Sequence, residues 1–356
     1  MNTTQQTLFT LDFKKRIIKI ALSVLALIFA IMLVSWIVKL KESDEKYAEF
    51  KSETKQFDIL VYGSSHVMNG FSPMLLWAKY GMTSYNFGNP NSTIPQTYWV
   101  IRNSIKYNKP DIIVLDIAFI KRDEKTEGVT WGHTAFDAFP LSLEKVAAVN
   151  DLYTDINDKV DILFPFSRYH ARWSDSEVYT AENIYDLDYN IEKGAYTQFN
   201  VTSPEDYFEI DMAEMNLTET TGKLYLRKII ELCSEKDIKI VLVNIPAFDN
   251  EEIQEYNNSV QVIADEYGVP YLNLPYLNVV DKDKDCADGS DHLNFYGECK
   301  VTDYIGNYLA TTYNITDKRS MEDYADWNED YNRYIDYING VDPECAEFAD
   351  TYLKTE

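Results

Sequence analysis

The chain has few cysteines and few basic residues, and each shortage excludes a class of site. Its four cysteines, Cys233, Cys286, Cys299 and Cys345, lie far apart with no C-x-x-C pair, so a zinc site built from thiolates is not expected. Lysine and arginine number 33 against 58 acidic residues, which gives a net charge of −25 over 356 residues. The sequence shows no cluster of basic residues that would form a groove for the phosphates of a nucleic acid, so we expect no nucleic-acid partner.

One stretch of the chain has no charge at all. Ile20–Val38 runs for nineteen uncharged residues, about the length that crosses the hydrocarbon core of a bilayer. A cleaved signal peptide would have a shorter apolar core and a cleavage site of small residues. Four basic residues precede the stretch, and the lysines after it are soon diluted by acidic residues. The sequence therefore predicts a single membrane span with a cytoplasmic N-terminus and the remaining ~300 residues outside the cytoplasm.

From Phe57 onward, strand and helix patterns alternate, which predicts an α/β fold. Continuously apolar runs indicate strands that are buried on both faces, so helices should cover both sides of the sheet. We expect a three-layer α/β/α sandwich with a mostly parallel sheet of about five strands. The predicted strands lie at 59–62, 83–88, 111–120, 236–248 and 271–274. The predicted helices begin at Ser72, after residue 91, at 224, at 251 and at 295; Gly81 is expected to end the first of them, and Gly268 to end the helix 251–267.

The domain boundaries follow from changes in composition. Residues 1–40 form the N-terminus and anchor, 41–56 a charged helical stalk, 57–313 the main domain with an insertion at 121–222, and 314–356 an acidic extension. The extension is expected to be a docked helix followed by a looser end, because apolar residues recur there at helical spacing. The insertion follows a strand, close to where open sheets bind ligands, and two interpretations of it stay open: a cap that recognises substrate, and an inert packed subdomain.

The stretch Asp58–Pro73 ends an apolar run in a group of small polar residues. Ile59–Tyr62 is the predicted first strand, and Gly63 permits a sharp turn that lifts the next side chains out of the sheet. Ser64 and Ser65 stand at this turn. A nucleophile would lie at such a turn, although two solvated serines at a plain strand exit fit the same residues.

A second segment, 281–297, carries a residue that can activate a serine. It lies between the fifth strand and the closing helix, and it contains His292 with Asp288 and Asp291 close by. A hydroxyl is inert at neutral pH unless a base takes its proton, and a carboxylate that orients the base increases its effect. Ser65, His292 and one aspartate supply these roles if the fold brings the two ends of the domain together.

These segments resemble motifs of the SGNH, or GDSL, hydrolase superfamily over 57–313, apart from the insertion. The first block is matched by Gly-Ser-Ser at 63–65, and the resemblance makes Ser65 the nucleophile. The second block is matched by residues 86–91, where the family has a glycine whose backbone N–H contributes to the oxyanion hole together with that of the nucleophile. Asn91 stands at the place of this glycine, and Gly88 is a nearby alternative.

Two blocks depart from the family pattern. After the third strand the family has an asparagine that donates to the oxyanion, whereas residues 118–121 read Ala-Phe-Ile-Lys. Loss of one such donor lowers the reaction rate about 10²- to 10³-fold. His66 and Asn91 are the two residues that could donate to the oxyanion in place of the missing asparagine. The last block is usually Asp-x-x-His, but Gly289 holds the place of the aspartate. Asp288 is preferred over Asp291, because a residue directly before the histidine is poorly placed to reach its ring.

With its membrane anchor, the chain is most similar to the SGNH branch that works on cell-surface polymers. That branch includes the lipoteichoic acid D-alanyl transfer proteins and the SGNH partners of membrane-bound O-acyltransferases. The resemblance implies an extracytoplasmic serine esterase or O-acyltransferase that acts on a cell-surface glycan or polymer through an acyl-serine intermediate and needs no cofactor. It also implies an acyl donor and a membrane-bound O-acyltransferase as partners. The alternative is a degenerate SGNH domain that binds glycan or scaffolds such an acyltransferase.

Weaker predictions concern scattered polar residues. Candidates for substrate contact are His66 and, in the insertion, His133, His170, Arg172 and Trp173. They are considered because polar and aromatic side chains in a cap are able to bind ligand.

The cysteines and the acidic residues before His292 carry weaker predictions too. Cys233 is expected in the core of a helix, whereas Cys286 and Cys299 flank His292 and would be able to form a disulfide in an oxidising exterior. Aspartates at 281, 283 and 285 have the spacing of a calcium loop, but that loop needs glycine at 286 and glutamate at 292. We therefore predict no metal site and a solvated loop.

Overall fold

A five-stranded parallel sheet forms the centre of the protein. The computed structural model describes residues 3–39, 42–180, 190–203, 214–247, 250–289 and 292–354. Within these residues the strands are β1 (Ile59–Gly63), β2 (Ser84–Gly88), β3 (Ile112–Asp116), β4 (Lys239–Asn244) and β5 (Tyr271–Asn273), in the order β2-β1-β3-β4-β5. The predicted α/β class with five strands is confirmed, and every pair in the sheet is parallel.

Fourteen α-helices occur in the same described ranges. They are α1 (Thr3–Val38), α2 (Glu42–Ser52), α3 (Ser65–Gly70), α4 (Pro73–Tyr80), α5 (Ile94–Ser104), α6 (Val129–Phe136), α7 (Leu143–Leu152), α8 (Ile156–Leu163), α9 (Phe166–Tyr169), α10 (Thr221–Glu235), α11 (Glu251–Tyr267), α12 (Phe295–Thr312), α13 (Ala325–Val341) and α14 (Pro343–Lys354). Short 3₁₀ turns lie at His170–Ser174, Ser176–Tyr179, Leu274–Leu277 and Glu322–Tyr324.

Both faces of the sheet are buried, which explains the continuous apolar runs 59–62, 112–115 and 240–243 in β1, β3 and β4. Successive side chains of a strand point to opposite faces. In β1, Leu60 and Tyr62 belong to one core cluster, and Ile59 and Val61 belong to the other. Helices α5 and α10 contribute to the first cluster, and α12 contributes to both. Each fully buried aliphatic side chain is worth about 1.5–3 kcal/mol relative to an exposed one.

Helix ends that carry local signals fall where they were predicted. Ser72 caps α4, its hydroxyl accepting the N–H of Leu75 at 3.3 Å, and Gly81 ends the helix in the left-handed conformation with φ of 66°. Helix α11 has the predicted bounds, with Gly268 at its C-cap. In each case the capping residue satisfies or terminates backbone groups locally, so distant contacts are not needed to locate the end.

The predicted stalk is helical but is not a free spacer. Helix α2 contributes Tyr47 and Phe50 to the main core, and Phe50 is fully buried. Its ring stacks on Phe57 at 5.6 Å and meets Phe87 edge-on at 4.8 Å. The many charged residues of this segment led to the prediction of a stalk. Tyr47 and Phe50 are three positions apart, however, and form one apolar face of the helix.

The C-terminal extension is docked along its described length. Trp327, Tyr334 and Ile338 of α13 are buried in the core, as the helical spacing predicted. The looser end was wrong, because α14 follows directly and buries Cys345 and Ala349. Both helices pack against α4, on the edge of the sheet formed by β2.

Helix α1 is long and apolar enough to cross a membrane. Its segment Phe13–Val38 has a mean hydropathy of 2.9 and is not buried by the rest of the protein. Only the last turn is covered: the N–H of Phe166 donates to the Ser35 hydroxyl at 3.1 Å, and Nη1 of Arg172 donates to the Val38 carbonyl at 2.7 Å. The insertion therefore holds the end of this helix.

The described parts of the insertion have two different surroundings. Helices α6 to α9 pack between α1, α2 and α5. Residues 190–203 instead run past α3 and the 281–294 loop, where the N–H of Tyr196 donates to Met68 at 2.8 Å and that of Thr202 donates to Cys286 at 2.9 Å. One part of the insertion thus braces the apolar helix, and the other lies beside the serine.

Candidate active site

Ser65 is the first residue of a short helix, α3, that follows β1 directly. Ser64 is its N-cap, and the Ser64 hydroxyl accepts the N–H of His66 at 3.2 Å. The two serines therefore differ: Ser64 is buried and caps the helix, whereas Ser65 is partly exposed. The sequence predicted the first helix of the domain at Ser72 and missed α3. Its six residues are too few to show a helical period.

Close packing fixes where α3 sits on the sheet. A side chain at Gly63 would meet Cγ2 of Val67 at 2.6 Å and Cβ of Asp116 at 2.8 Å, and one at Gly88 would meet the Met68 nitrogen at 2.4 Å. Glycine is needed at Gly88 because the backbone of α3 approaches it closely, and at Gly63 because the side chains of Val67 and Asp116 fill the space. The requirement at Gly63 is for space.

Asn86 fastens α3 to β2. Its side-chain Nδ2 donates to the carbonyls of Val67 and Phe71, each at 2.8 Å, and its Oδ1 accepts the N–H of Gly88 at 2.8 Å. The residue is completely buried. Asn86 thus connects the second block to the helix that begins with Ser65.

The loop that carries His292 is held by Asn294. Its Nδ2 donates to the Lys284 carbonyl at 2.7 Å, and its Oδ1 accepts the N–H groups of Tyr296 and Gly297 at the start of α12. An antiparallel bridge joins Cys286 to Leu293 and closes the loop on itself. These bonds set the position of His292 relative to the sheet.

Ser65, His292 and Asp288 form a chain of hydrogen-bonding distances. The Ser65 hydroxyl lies 2.9 Å from Nε2 of His292. On the other side of the ring, Nδ1 lies 2.5 Å from Oδ2 of Asp288. The second carboxylate oxygen of Asp288 accepts the backbone N–H of His292 at 3.2 Å, so the aspartate holds both ring and backbone. The alternative acid, Asp291, lies outside the described residues.

His66 lies next to this group. Its ring centroid is 6.2 Å from that of His292 and 6.1 Å from that of Phe119. Burial and, to a smaller extent, the nearby His292 lower the pKa of His66 to about 4, while Asp288 opposes the shift. His66 is therefore neutral near pH 7, and it adds a polar but uncharged wall beside His292.

The side of the site that would bind an oxyanion is less complete. The Gly88 N–H already donates to Asn86, which leaves the backbone groups of Ser65 and Asn91 as the donors considered. The N–H of Asn89 donates to the Gly63 carbonyl at 3.1 Å, so this loop lies against the end of β1. Asn91 has a positive φ of 51°, a conformation that asparagine tolerates better than most residues.

An aromatic residue takes the place of the third block. Phe119 has a φ of 65°, which is unfavourable for a bulky side chain. Its ring faces His66, and the Arg122 guanidinium lies 4.0 Å from the ring centroid. At the position where the resemblance predicts an amide donor, this chain therefore has an aromatic ring with an adjacent cation.

The other candidates for substrate contact in the insertion have different surroundings. Arg172 caps the end of α1, and Nδ1 of His170 lies 2.8 Å from the Ser167 carbonyl. His133 is buried against Tyr169, and Trp173 is exposed. None of these four contacts Ser65 or His292 among the described residues, so we do not include them in the site.

Two buried aspartates of the site region were not recognised as structural residues from the sequence. Asp116, at the end of β3, is buried beside Gly63 and accepts the N–H groups of Ile245 and Ala118. Burial raises its pKa to about 7, although these bonds oppose the shift. Asp285 is also buried and pairs with Lys300 at 2.6 Å. The prediction that the acidic loop is solvated is therefore wrong for Asp285.

The cysteines do not form the disulfide that was considered. All four are buried free thiols, Cys286 and Cys299 included. Cys233 lies in the core on α10, as predicted. No disulfide therefore constrains the His292 loop, which the bonds of Asn294 and the bridge between Cys286 and Leu293 hold instead.

Comparison with known proteins adds no assignment. No protein-family model matches the chain, and no curated protein matches it significantly.

Proposed function

We propose that this protein is a membrane-anchored serine esterase or O-acyltransferase that acts on hydroxyl groups of an extracytoplasmic glycan or polymer. The observation that carries the proposal is the continuous chain from Ser65 through His292 to Asp288, at 2.9 Å and 2.5 Å. A hydroxyl, an imidazole and a carboxylate in this order make up the machinery of nucleophilic acyl transfer. The resemblance to SGNH hydrolases adds the substrate class.

The reaction proceeds in two half-reactions. Ser65 Oγ attacks the acyl carbonyl while Nε2 of His292 takes its proton, and Asp288 stabilises the imidazolium. The oxyanion accepts the N–H groups of Ser65 and Asn91. The C–O bond to the leaving group then breaks, and His292 returns the proton to it. In the second half, a glycan hydroxyl or water attacks the acyl-serine, His292 takes its proton, and Ser65 is released with that proton.

The apolar helix α1 supports the location. If it spans the bilayer with the basic residues before it in the cytoplasm, the domain lies outside the cell, where glycans and polymers of the envelope are found. The net negative charge of the chain does not prevent contact with an anionic polymer. Salt screens the repulsion between their charges beyond about 8 Å, and the anchor keeps the protein close to polymers of the envelope. A membrane-bound O-acyltransferase is the partner that would deliver acyl groups there.

A fluorophosphonate probe tests the proposal in the full chain. The probe phosphonylates an activated serine with loss of fluoride, and we expect labelling of the wild type and none of Ser65→Ala. Ser64→Ala is the matched control: it removes the neighbouring hydroxyl and the helix cap, at a cost of about 1 kcal/mol, and it should still label. Labelling that persists in Ser65→Ala would contradict the proposal.

The second candidate function is non-catalytic binding of glycan or of a membrane acyltransferase. Phe119 favours it, because a strained aromatic residue replaces an oxyanion donor and aromatic rings bind sugars through their faces. It predicts a folded wild-type chain that fails to label at all but binds a glycan, with the binding reduced in Phe119→Ala. Labelling that depends on Ser65 would rule it out as the sole function.

A further inference from the structure

A cavity of about 410 Å³ lies where the apolar helix meets the domain, and its lining contains none of the residues of the serine site. Its volume falls within the range of sites that bind small molecules. Helix α1 supplies Met32, Ser35 and Trp36 to its wall, and α2 supplies Tyr47 and Lys51. Lys39, just after α1, and Ala48 of α2 also line it, and the other lining residues come from the insertion, between the end of α6 and the start of α9. The cavity therefore lies beside the last two turns of the apolar helix.

The charge of this cavity is opposite to that of the chain. Lys39, Lys51 and Lys145 line it, against one acidic residue, Asp137. Lys39 and Lys145 are almost fully buried, at 7% and 4% exposed, and they donate to the carbonyls of Asp137 and Phe139. The Asp137 carboxylate lies 2.8 Å from Nδ1 of His133, which uses one of its oxygens. Three lysines around one cavity are notable in a chain of net charge −25.

The rest of the wall is apolar. It is formed by Met32, Trp36, Ala138, Phe139, Pro140, Leu141, Leu163 and Pro165. An anion that is small and fully soluble would gain little from such a wall, whereas a molecule with one anionic end and an apolar body would contact both parts. Trp36 is also the type of residue that is enriched at the depth of the headgroups.

We propose that this cavity binds the phosphate-bearing headgroup of an anionic membrane lipid. Because α1 ends at Val38, a chain that spans the bilayer brings the cavity to the membrane surface on the side of the domain. The lysines meet the phosphate, and the apolar wall meets the glycerol and the first methylenes of the acyl chains. A lipid in the plane of the membrane reaches the cavity regardless of the repulsion that a net negative domain exerts on soluble anions.

The test is a lipid titration of the full chain in neutral detergent, with bound lipid counted by native mass spectrometry. The probe is dioctanoyl phosphatidylglycerol, and we expect one bound molecule per chain. Lys51→Gln is expected to weaken binding about 5-fold, and Lys51→Gln with Lys145→Gln about 25-fold, since each lysine near a lipid phosphate contributes a factor of this size. Lys106→Gln is the matched control, because Lys106 pairs with Glu144 on α7 but lies outside the cavity.

Two further ligands show whether the cavity recognises the whole phospholipid or only one part of it. Dioctanoylglycerol, which lacks the phosphate, should bind much more weakly, and inorganic phosphate should not compete. The proposal is overturned if either one binds as tightly as the phospholipid, or if Lys51→Gln binds like the wild type. Lys51 is exposed on α2, so this single variant gives the answer even if removal of the buried Lys145 unfolds the chain. The serine site takes no part in any arm.

Discussion

Two histidine–aspartate pairs occupy different regions of the molecule. In each, Nδ1 of the histidine lies close to an aspartate four residues away: His292 to Asp288 at 2.5 Å, and His133 to Asp137 at 2.8 Å. The first pair is at the edge of the sheet, and its Nε2 faces the hydroxyl of Ser65. The second is in the insertion, and its Nε2 is buried without a hydrogen bond in the described residues, 3.6 Å from the Asp161 carboxylate.

The difference shows what turns such a pair into a candidate base. An aspartate fixes the ring in both, but only His292 has a nucleophile on its free nitrogen and a side chain open to substrate. Its side chain is 24% exposed, against 3% for His133. A buried pair without a hydroxyl holds helices together, whereas an accessible pair beside a hydroxyl can transfer a proton. Each pair therefore serves as the control for the other.

The largest expected difference between the two pairs is in the labelling rates of their histidine variants. His292→Ala should lower the rate of fluorophosphonate labelling by about 10²- to 10⁴-fold, because the base is lost. His133→Ala should label at the wild-type rate while its melting temperature falls, because it opens a cavity in the insertion and leaves Asp137 without its ring partner. Equal labelling rates in the two variants would contradict the assignment of His292 as the base.

The aspartates give the next largest effect. Asp288→Asn should lower the labelling rate by about 10²-fold, less than for a fully buried aspartate, because Asp288 is 42% exposed and solvent replaces part of its effect. Asp137→Asn should leave the rate unchanged. If Asp288→Asn also labels normally, Asp288 is not the orienting acid, and Asp291→Asn becomes the variant to measure.

The sheet could be read from the sequence because its three inner strands, β1, β3 and β4, contain continuous apolar runs and because short local signals end the helices. Ser72, Gly81 and Gly268 act on the backbone around them, so their effect needs no knowledge of the fold. Helix α3 and the packing of α2 depend instead on distant partners such as Asn86 and Phe57. Helix α3 is too short to show a helical period, so it was missed. The two aromatic residues of α2 stand among charged residues, so the segment was predicted to be a stalk rather than part of the core.

For the candidate site, the sequence indicated the residues that carry the chemistry but not the residues that position them. Residue chemistry pointed to a serine at 64 or 65, to His292 and to a nearby aspartate, because a nucleophile, a base and an acid are recognisable types. The resemblance to SGNH hydrolases favoured Ser65 and led to the preference for Asp288 over Asp291. The residues that hold them could not be recognised: Asn294 and Asp116 are an asparagine and an aspartate like many others in the chain, and only burial distinguishes them. His133 looked equivalent to His170 for the same reason, since exposure is a property of the fold.

The smallest effect concerns His66, a third histidine, whose ring lies 6.2 Å from that of His292. Burial lowers its folded-state pKa to about 4, below the ordinary value of about 6.5 in the unfolded chain. The folded protein therefore binds fewer protons between these values, and the contribution of neutral His66 is present above pH 6.5 and lost as the pH falls towards 4. The loss amounts to about 2 to 3 kcal/mol at pH 4.5.

His66→Gln cannot take up this proton, so its free energy of unfolding should fall less than that of the wild type between pH 7 and pH 4.5. Urea unfolding of the full chain in neutral detergent measures the difference, with His170→Gln as the control because His170 is exposed. If His66→Gln and the wild type lose equal stability over this range, His66 is not held neutral beside His292. Together with the labelling rates, the result separates a histidine that transfers protons, one that packs, and one that is kept uncharged at the site.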